Sequence, residues 1–290
     1  MPIISVICYQ RLGDKSWMKI KSLIIILAMA VVCLVQGAEE PQSYQYARDI
    51  AYRPASDAQH TNRLCQLDVA YRPQVENKPV VVWFHGGGLT AGRREIPEAL
   101  LKDQLVIMGV EYRLAPEVNA DEIIDDAAAA VAWAFDHCAE YGGDAKKIFI
   151  AGHSAGGYLV NMVALDQSRL KKYGKEANDL AGVIPYSGHS ITHFTTRQTM
   201  GMPPHQALID STAPLYHVRA DAPPLLIISG DRELELYGRY EESAFFWRML
   251  KLAGHKDSKL LELDGFDHGN MAEPAHLLAL RFIRERSKQK

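Results

Sequence analysis

One five-residue run constrains this chain more than any bulk property. Gly152-His153-Ser154-Ala155-Gly156 joins an apolar, strand-like segment at 147–151 to a helical stretch from about residue 155 to 165. A serine at such a join sits on a sharp strand-to-helix turn with strained backbone angles. Glycines two residues either side remove side chains that would collide with neighbouring elements. The helix that follows aims its N-terminus at whatever the serine attacks, favouring a developing negative charge. The five-letter pattern alone is common by chance; the strand before it and the helix after it make it specific. Ser154 is the candidate nucleophile.

The rest of the chain alternates in the same way. Residues 64–71 alternate as a half-buried strand would, and 79–84 and 105–110 are continuous apolar runs suited to strands buried on both faces. An alanine-rich helix over 121–141 is stopped by Gly142-Gly143. Strands follow at 182–186 and 224–229, then an amphipathic helix at 241–252, an edge strand at 259–263 and a closing helix at 275–284. Strand–helix alternation predicts an α/β fold with a mostly parallel sheet and helices on both faces. The stretch 187–222 is too long for a plain connection and carries glycines, prolines and aromatics, so it is expected to arch beside the site as a short lid or insert.

The N-terminus reads differently. Lys19-Ile20-Lys21 precedes an apolar run, 23–35, and then Gln36-Gly37-Ala38. This is the basic, hydrophobic and small-residue order of a secretory signal peptide. The apolar run is about 13 residues, short of the ~20 that span a bilayer. The expectation is an N-terminal extension and signal over 1–38, with Met1 or Met18 as the start. A single domain over 39–290 would then be exported to a periplasmic or extracellular space with no stable membrane anchor. Cys8 and Cys33 fall in the leader; Cys65 and Cys138 could pair in an oxidising compartment, though two separate buried thiols is the preferred reading. A net charge of −3 with scattered lysines and arginines gives no reason to expect a nucleic-acid partner.

A second motif, His85-Gly86-Gly87-Gly88, stands at the end of the 79–84 strand. Without Cβ atoms its backbone N–H groups can approach a ligand closely. Together with this motif and the serine turn, Glu111-Tyr112-Arg113-Leu114-Ala115-Pro116-Glu117 resembles the α/β-hydrolase superfamily. The resemblance is closest to its hormone-sensitive-lipase-like and carboxylesterase branch, and it runs from about residue 67 to the final helix. Two departures stand out. Leu89 follows the glycines where that branch usually has an aromatic residue, and only about 45 residues precede the glycine motif after signal removal. A compact acetyl- or feruloyl-esterase-like, or formamidase-like, member is implied.

The resemblance implies hydrolysis of carboxylic esters through an acyl-serine, with no cofactor or metal, on small-molecule or carbohydrate-linked short-acyl esters. Gly87, Gly88 and Ala155 are the expected oxyanion-hole donors, and His268, in Asp264-Gly265-Phe266-Asp267-His268, the expected base. The acid should follow the 224–229 strand. The family register selects Glu233, with Asp231 as runner-up or as a turn residue ordering the loop, and Glu235 behind both. His85, Leu89, His189, Phe194 and Phe266 are the candidate substrate-binding residues. An amidase, formamidase or peptidase would share every catalytic part, because leaving-group recognition lies in the variable loops. A non-catalytic binding protein on a degenerate hydrolase fold is the alternative from another class, and a lipase acting at interfaces would need a longer amphipathic lid. Oligomeric state is open.

Overall fold

Two faces of one strand show how the core is partitioned. In β3 (Lys78–Phe84), Val80, Val82 and Phe84 join one hydrophobic cluster, while Val81 and Trp83 join another. This period-two alternation between two apolar faces is that of a strand buried on both sides. The computed structural model describes residues 43–54, 63–203, 205–236 and 238–288. The expected leader, Cys8 and Cys33 lie outside the described residues.

Among the described residues, eight strands form one sheet in the order β1-β2-β4-β3-β5-β6-β7-β8. The others are β1 (Gln45–Ala51), β2 (Gln66–Tyr71), β4 (Val106–Val110), β5 (Gly143–His153), β6 (Gly182–Tyr186), β7 (Leu225–Gly230) and β8 (Ser258–Leu263). β1 and β2 pair antiparallel, as do β2 and β4; every other pairing is parallel. The mostly parallel α/β sheet matches the sequence expectation. β1 has no counterpart in that expectation because none of its seven residues is buried, so no apolar pattern marks it.

Helices α1 (Ala120–His137), α2 (Ala155–Leu165), α3 (Gln167–Lys171) and α5 (Arg239–Leu252) contribute to one cluster, and α6 (Ala272–Ser287) to the other. α1 opens with a reciprocal cap: Asn119 Oδ1 accepts from Glu122 N at 3.0 Å, and Glu122 Oε2 accepts from Asn119 N at 3.0 Å. Its run of small residues, Ala127–Ala130, is buried, letting the helix approach the sheet closely. Inside that face lies a charge: Asp126 is fully buried and receives Arg113 Nε at 2.7 Å and Nη2 at 2.8 Å. A buried carboxylate persists only when it is paired in this way.

The stretch 187–222 holds a short helix, α4 (Phe194–Thr199), and a 3-10 turn at Pro214–His217. It is fastened to α2, where Tyr158 Oη donates to Thr212 O at 2.7 Å. Cys65 and Cys138 are both buried free thiols, and burial pushes each up to about 11. Residues Tyr44–Lys290 make one compact unit.

Candidate active site

β5 runs through the middle of the sheet and ends at the serine turn. Ser154 adopts φ 57° and ψ −113°, a region non-glycine residues rarely enter, at a cost of order 1–3 kcal/mol. The turn is held by Ser154 N donating to Tyr186 O at 2.8 Å and by Ser154 O accepting from Tyr158 N at 3.0 Å. The flanking glycines have a direct steric reason. A Cβ on Gly156 would lie 2.0 Å from Phe84 O, and one on Gly152 would lie 2.7 Å from the same oxygen. The strand, the turn and the helix can close on β3 only because both side chains are absent.

Three adjacent strand ends bring the rest together. After β8, His268 places Nε2 at 2.9 Å from Ser154 Oγ. Its Nδ1 lies 2.8 Å from Glu235 Oε2 on the loop after β7, and 3.0 Å from Ser187 Oγ at the end of β6. The Glu235 carboxylate makes Nδ1 the protonated nitrogen and leaves the Nε2 lone pair facing the serine hydroxyl. His153 closes the arrangement from behind. Burial lowers it to about 4, so it is neutral near pH 7, and its Nε2–H donates to His268 O at 2.8 Å.

The carboxylate differs from the one the sequence favours. Glu233 is exposed; its N–H donates to Asp231 Oδ1 at 2.8 Å, and its side chain does not meet the ring. Asp231 is also not at the ring: Oδ2 accepts from Gly265 N at 2.7 Å, tying the β7 loop to the β8 loop. The physical reason is a single helical turn after Gly230. Asp231 O accepts from Leu234 N at 3.0 Å and from Glu235 N at 2.8 Å, which carries residue 235 back over the strand end and leaves 233 facing out. Glu235 Oε1 then accepts from Gly230 N at 3.0 Å. Gly230 is what makes room, since a Cβ there would stand 2.9 Å from that oxygen. Burial of Glu235 works against its charge. Hydrogen bonds from His268 and Ser187, with the field of the imidazole, outweigh it and hold the carboxyl down at about 2.

The glycine loop lies against the serine: a Cβ on Gly86 would be 3.4 Å from Ser154 Cβ. Its peptides are oriented from their carbonyl ends. His85 Nδ1 donates to Gly86 O at 2.7 Å, and Gly87 O accepts from Thr90 N at 3.1 Å and Ala91 N at 3.0 Å. In a trans peptide the N–H points opposite the C=O, so the Gly87 and Gly88 N–H groups face away from these anchors. Left-handed angles, φ 112° and 65°, make the loop possible. Ala155 N opens α2 and has no acceptor within its own helix.

Of the five candidate substrate-binding residues, the structure separates two from three. His189 and Phe194 line a cavity of about 610 Å³, together with Arg197, Leu236, Arg239 and Glu242. His189 is held well below its ordinary range by burial; its Nδ1–H donates to Glu242 at 2.9 Å and its Nε2 accepts from Arg239 at 2.8 Å. Phe194 adjoins the glycine loop, since a Cβ on Gly88 would meet its ring at 2.9 Å. His85 instead is buried and stacked on Tyr112, with ring centroids 4.3 Å apart; it orients a peptide and offers no face to a ligand. Leu89 is a core residue bordering a second cavity of about 380 Å³ near Pro116 and Thr195. Phe266 is exposed and lines neither cavity; its carbonyl accepts from Asp231 N at 2.8 Å. Ser187, Arg239 and Glu242 carried no motif in the sequence and appear only when β6, β7 and α5 meet.

The pattern of the BD-FAE family matches residues 67–246, which include the glycine loop, Ser154 and Glu235. The chain belongs to the BD-FAE family. His268 lies beyond the matched span of that family. Among curated proteins, "Probable carboxylic ester hydrolase LipM" of Mycobacterium tuberculosis is 29% identical over 216 residues, 65% of this chain and 48% of LipM. Carboxylesterase NlhH of the same species is 40% identical over 101 residues, 32% of each chain. This chain thus spans about half or less of the length of these relatives. Among solved structures, a truncated carbohydrate esterase from gut microbiota aligns with a TM-score of 0.71 at 17% identity, covering 87% of this chain and 99% of that one. Esterase B of Lactobacillus rhamnosis, inhibited by a tributyrin phosphonate, aligns at 0.69 and 19% identity, covering 96% and 97%. The fold is that of the α/β hydrolases.

Proposed function

We propose that this protein hydrolyses carboxylic esters through an acyl-enzyme on Ser154. The observation that carries this reading is the relay Ser154 Oγ–His268 Nε2 at 2.9 Å and His268 Nδ1–Glu235 at 2.8 Å. His268 takes the serine proton as Oγ attacks the ester carbonyl and returns it to the departing alcohol. Glu235 fixes the tautomer and stabilises the imidazolium. The N–H groups of Gly87, Gly88 and Ala155 receive the oxyanion, with the α2 N-terminus adding its dipole. Water activated by the same imidazole then releases the acid.

The substrate is read as a short-acyl ester of a small molecule or carbohydrate. The cavity beside His189 and Phe194 has polar groups among apolar walls, which suits a ring bearing hydroxyls. Relatives such as the carboxylesterase NlhH act on esters by name, and one structural neighbour is a carbohydrate esterase. The leader-like pattern at 19–38 supports action outside the cytoplasm. A fluorophosphonate probe should label the wild-type protein and not Ser154→Ala. A p-nitrophenyl ester series should show acetate and butyrate turned over faster than long chains. Absence of labelling in the wild type would remove the serine mechanism; preference for long chains would remove the short-acyl assignment alone.

A further inference from the structure

Glu235 is not the only side chain that addresses His268 Nδ1. Ser187 stands at the end of β6, one strand nearer the serine turn than β7, and its Oγ is 3.0 Å from the same nitrogen. Nδ1 carries one proton, and the carboxylate at 2.8 Å is the stronger acceptor. The Ser187 hydroxyl therefore turns its own proton to Glu235 and offers its lone pair to Nδ1–H. It bridges the two members of the pair.

Several independent features fix the hydroxyl in that place. Ser187 is fully buried. Its N–H donates to Ile228 O at 2.7 Å, which ties it to β7, and its carbonyl accepts from Arg239 Nη1 at the start of α5. Arg239 is itself buried and held on its other side by His189. The backbone of Ser187 is left-handed, φ 46°, an angle that a serine adopts at a cost and that glycine would take freely. A plain turn would be better served by glycine; what serine adds here is the hydroxyl.

We propose that Ser187 is a positioning residue for the reaction, acting through the His268–Glu235 pair. The inference rests on the serine-hydrolase reading of the site. The hydroxyl holds the imidazole plane between Glu235 and Ser154 and supplies a hydrogen bond to the carboxylate that carries no charge of its own. Arg239 transmits this restraint from the wall of the large cavity to the base, so the residues lining the pocket and the residues moving the proton share one support.

The test is a double-mutant cycle on the full chain. Ser187→Gly suits the backbone angle and removes the hydroxymethyl group that carries the hydrogen bonds. It should lower kcat for p-nitrophenyl acetate about tenfold or more, the worth of one hydrogen bond to a charged group, with KM within about twofold. Its Tm should equal or exceed that of the wild type. In a Glu235→Gln background the same substitution should cost less than about twofold, because the pair it serves is already broken. Wild-type kcat in Ser187→Gly overturns the inference, as does an equal loss in both backgrounds or a loss that tracks a fall in Tm. A wild-type protein that neither labels with fluorophosphonate nor hydrolyses the ester overturns the site reading and this inference together; an active wild type with an unaffected Ser187→Gly overturns the inference alone.

Discussion

The turn at Ser154 and the loop at 231–236 both deliver one functional side chain from the end of a parallel strand, yet they are built on opposite principles. At Ser154 every constraint is backbone: a left-handed residue, two missing Cβ atoms against Phe84 O, and hydrogen bonds to Tyr186 O and from Tyr158 N. At 231–236 the backbone makes an ordinary helical turn, and the outcome is decided by which carboxylate is long enough, and rightly phased, to reach back over Gly230. A backbone device has to be spelled out in the sequence by glycines at fixed spacing. A side-chain device can be met by any of several acids within a few positions.

Substitutions can break this contrast or sharpen it. The largest effect is expected at the turn itself: Ser154→Ala should reduce ester turnover by about 10⁴-fold or more and abolish labelling, leaving the residual rate that binding and oxyanion contacts supply. At the acid loop, Glu235→Gln should cost about 10²- to 10⁴-fold in kcat by releasing the imidazole tautomer. Glu235→Asp should fall between that variant and the wild type, because one methylene of reach is lost. If steady-state kinetics found Glu235→Asp fully active, reach would not be what selects residue 235.

A smaller effect separates stability from chemistry. His276 is buried against Trp83 and Tyr186, and burial lowers it from an ordinary 6.5 to about 4. The unfolded chain therefore binds a proton there between pH 6.5 and 4 that the folded chain refuses. Stability is full above the unfolded value and falls as pH drops through that window. Urea unfolding of His276→Gln should show the loss of stability between pH 6.5 and 4 reduced by about 3 kcal/mol. A curve parallel to the wild type would place the acid sensitivity elsewhere. Glu235 shifts in the opposite charge sense: its carboxyl is depressed to about 2, so its contribution is present above about 4.5 and disappears only as pH falls toward 2. The smallest effect belongs to Glu233→Gln, which should change kcat by less than about twofold, because an exposed side chain facing away from the ring has nothing to lose.

These differences explain what could be read in advance. The central strands were legible because β3, β4 and the second half of β5, from Ile148 on, are buried and spell continuous apolar runs, whereas the polar start of β5 at Gly143 was not. β1 was not, because its side chains are exposed or half-exposed and its place is set by backbone pairing with β2. The glycine loop was legible as a loop, but the work of His85 was not. Whether an imidazole next to three glycines faces a ligand or grips its own neighbour's carbonyl depends on Tyr112, far along the chain, whose ring stacks on it and whose hydroxyl holds His85 O at 2.8 Å. Glu235 lay two residues beyond the one that a spacing rule selects, and only the helical turn from Asp231 to Glu235 brings it to the ring. Ser187 and Arg239 were invisible for a simpler reason: a lone serine after a strand and an arginine at a helix start have no pattern until two other strand ends stand beside them.

The torsion at residue 154 has a further consequence. Glycine would occupy φ 57° without penalty, so the fold would be firmer with glycine at this position, and the hydroxymethyl group is kept at the expense of the whole domain's resistance to unfolding. A lineage released from its chemistry would have a downhill path from serine to glycine here, available in a single exchange. Ser154→Gly is thus expected to melt no lower than the native chain while falling to the same residual ester turnover as Ser154→Ala, and differential scanning calorimetry of the glycine and native forms would measure how much rigidity the serine forgoes at this angle.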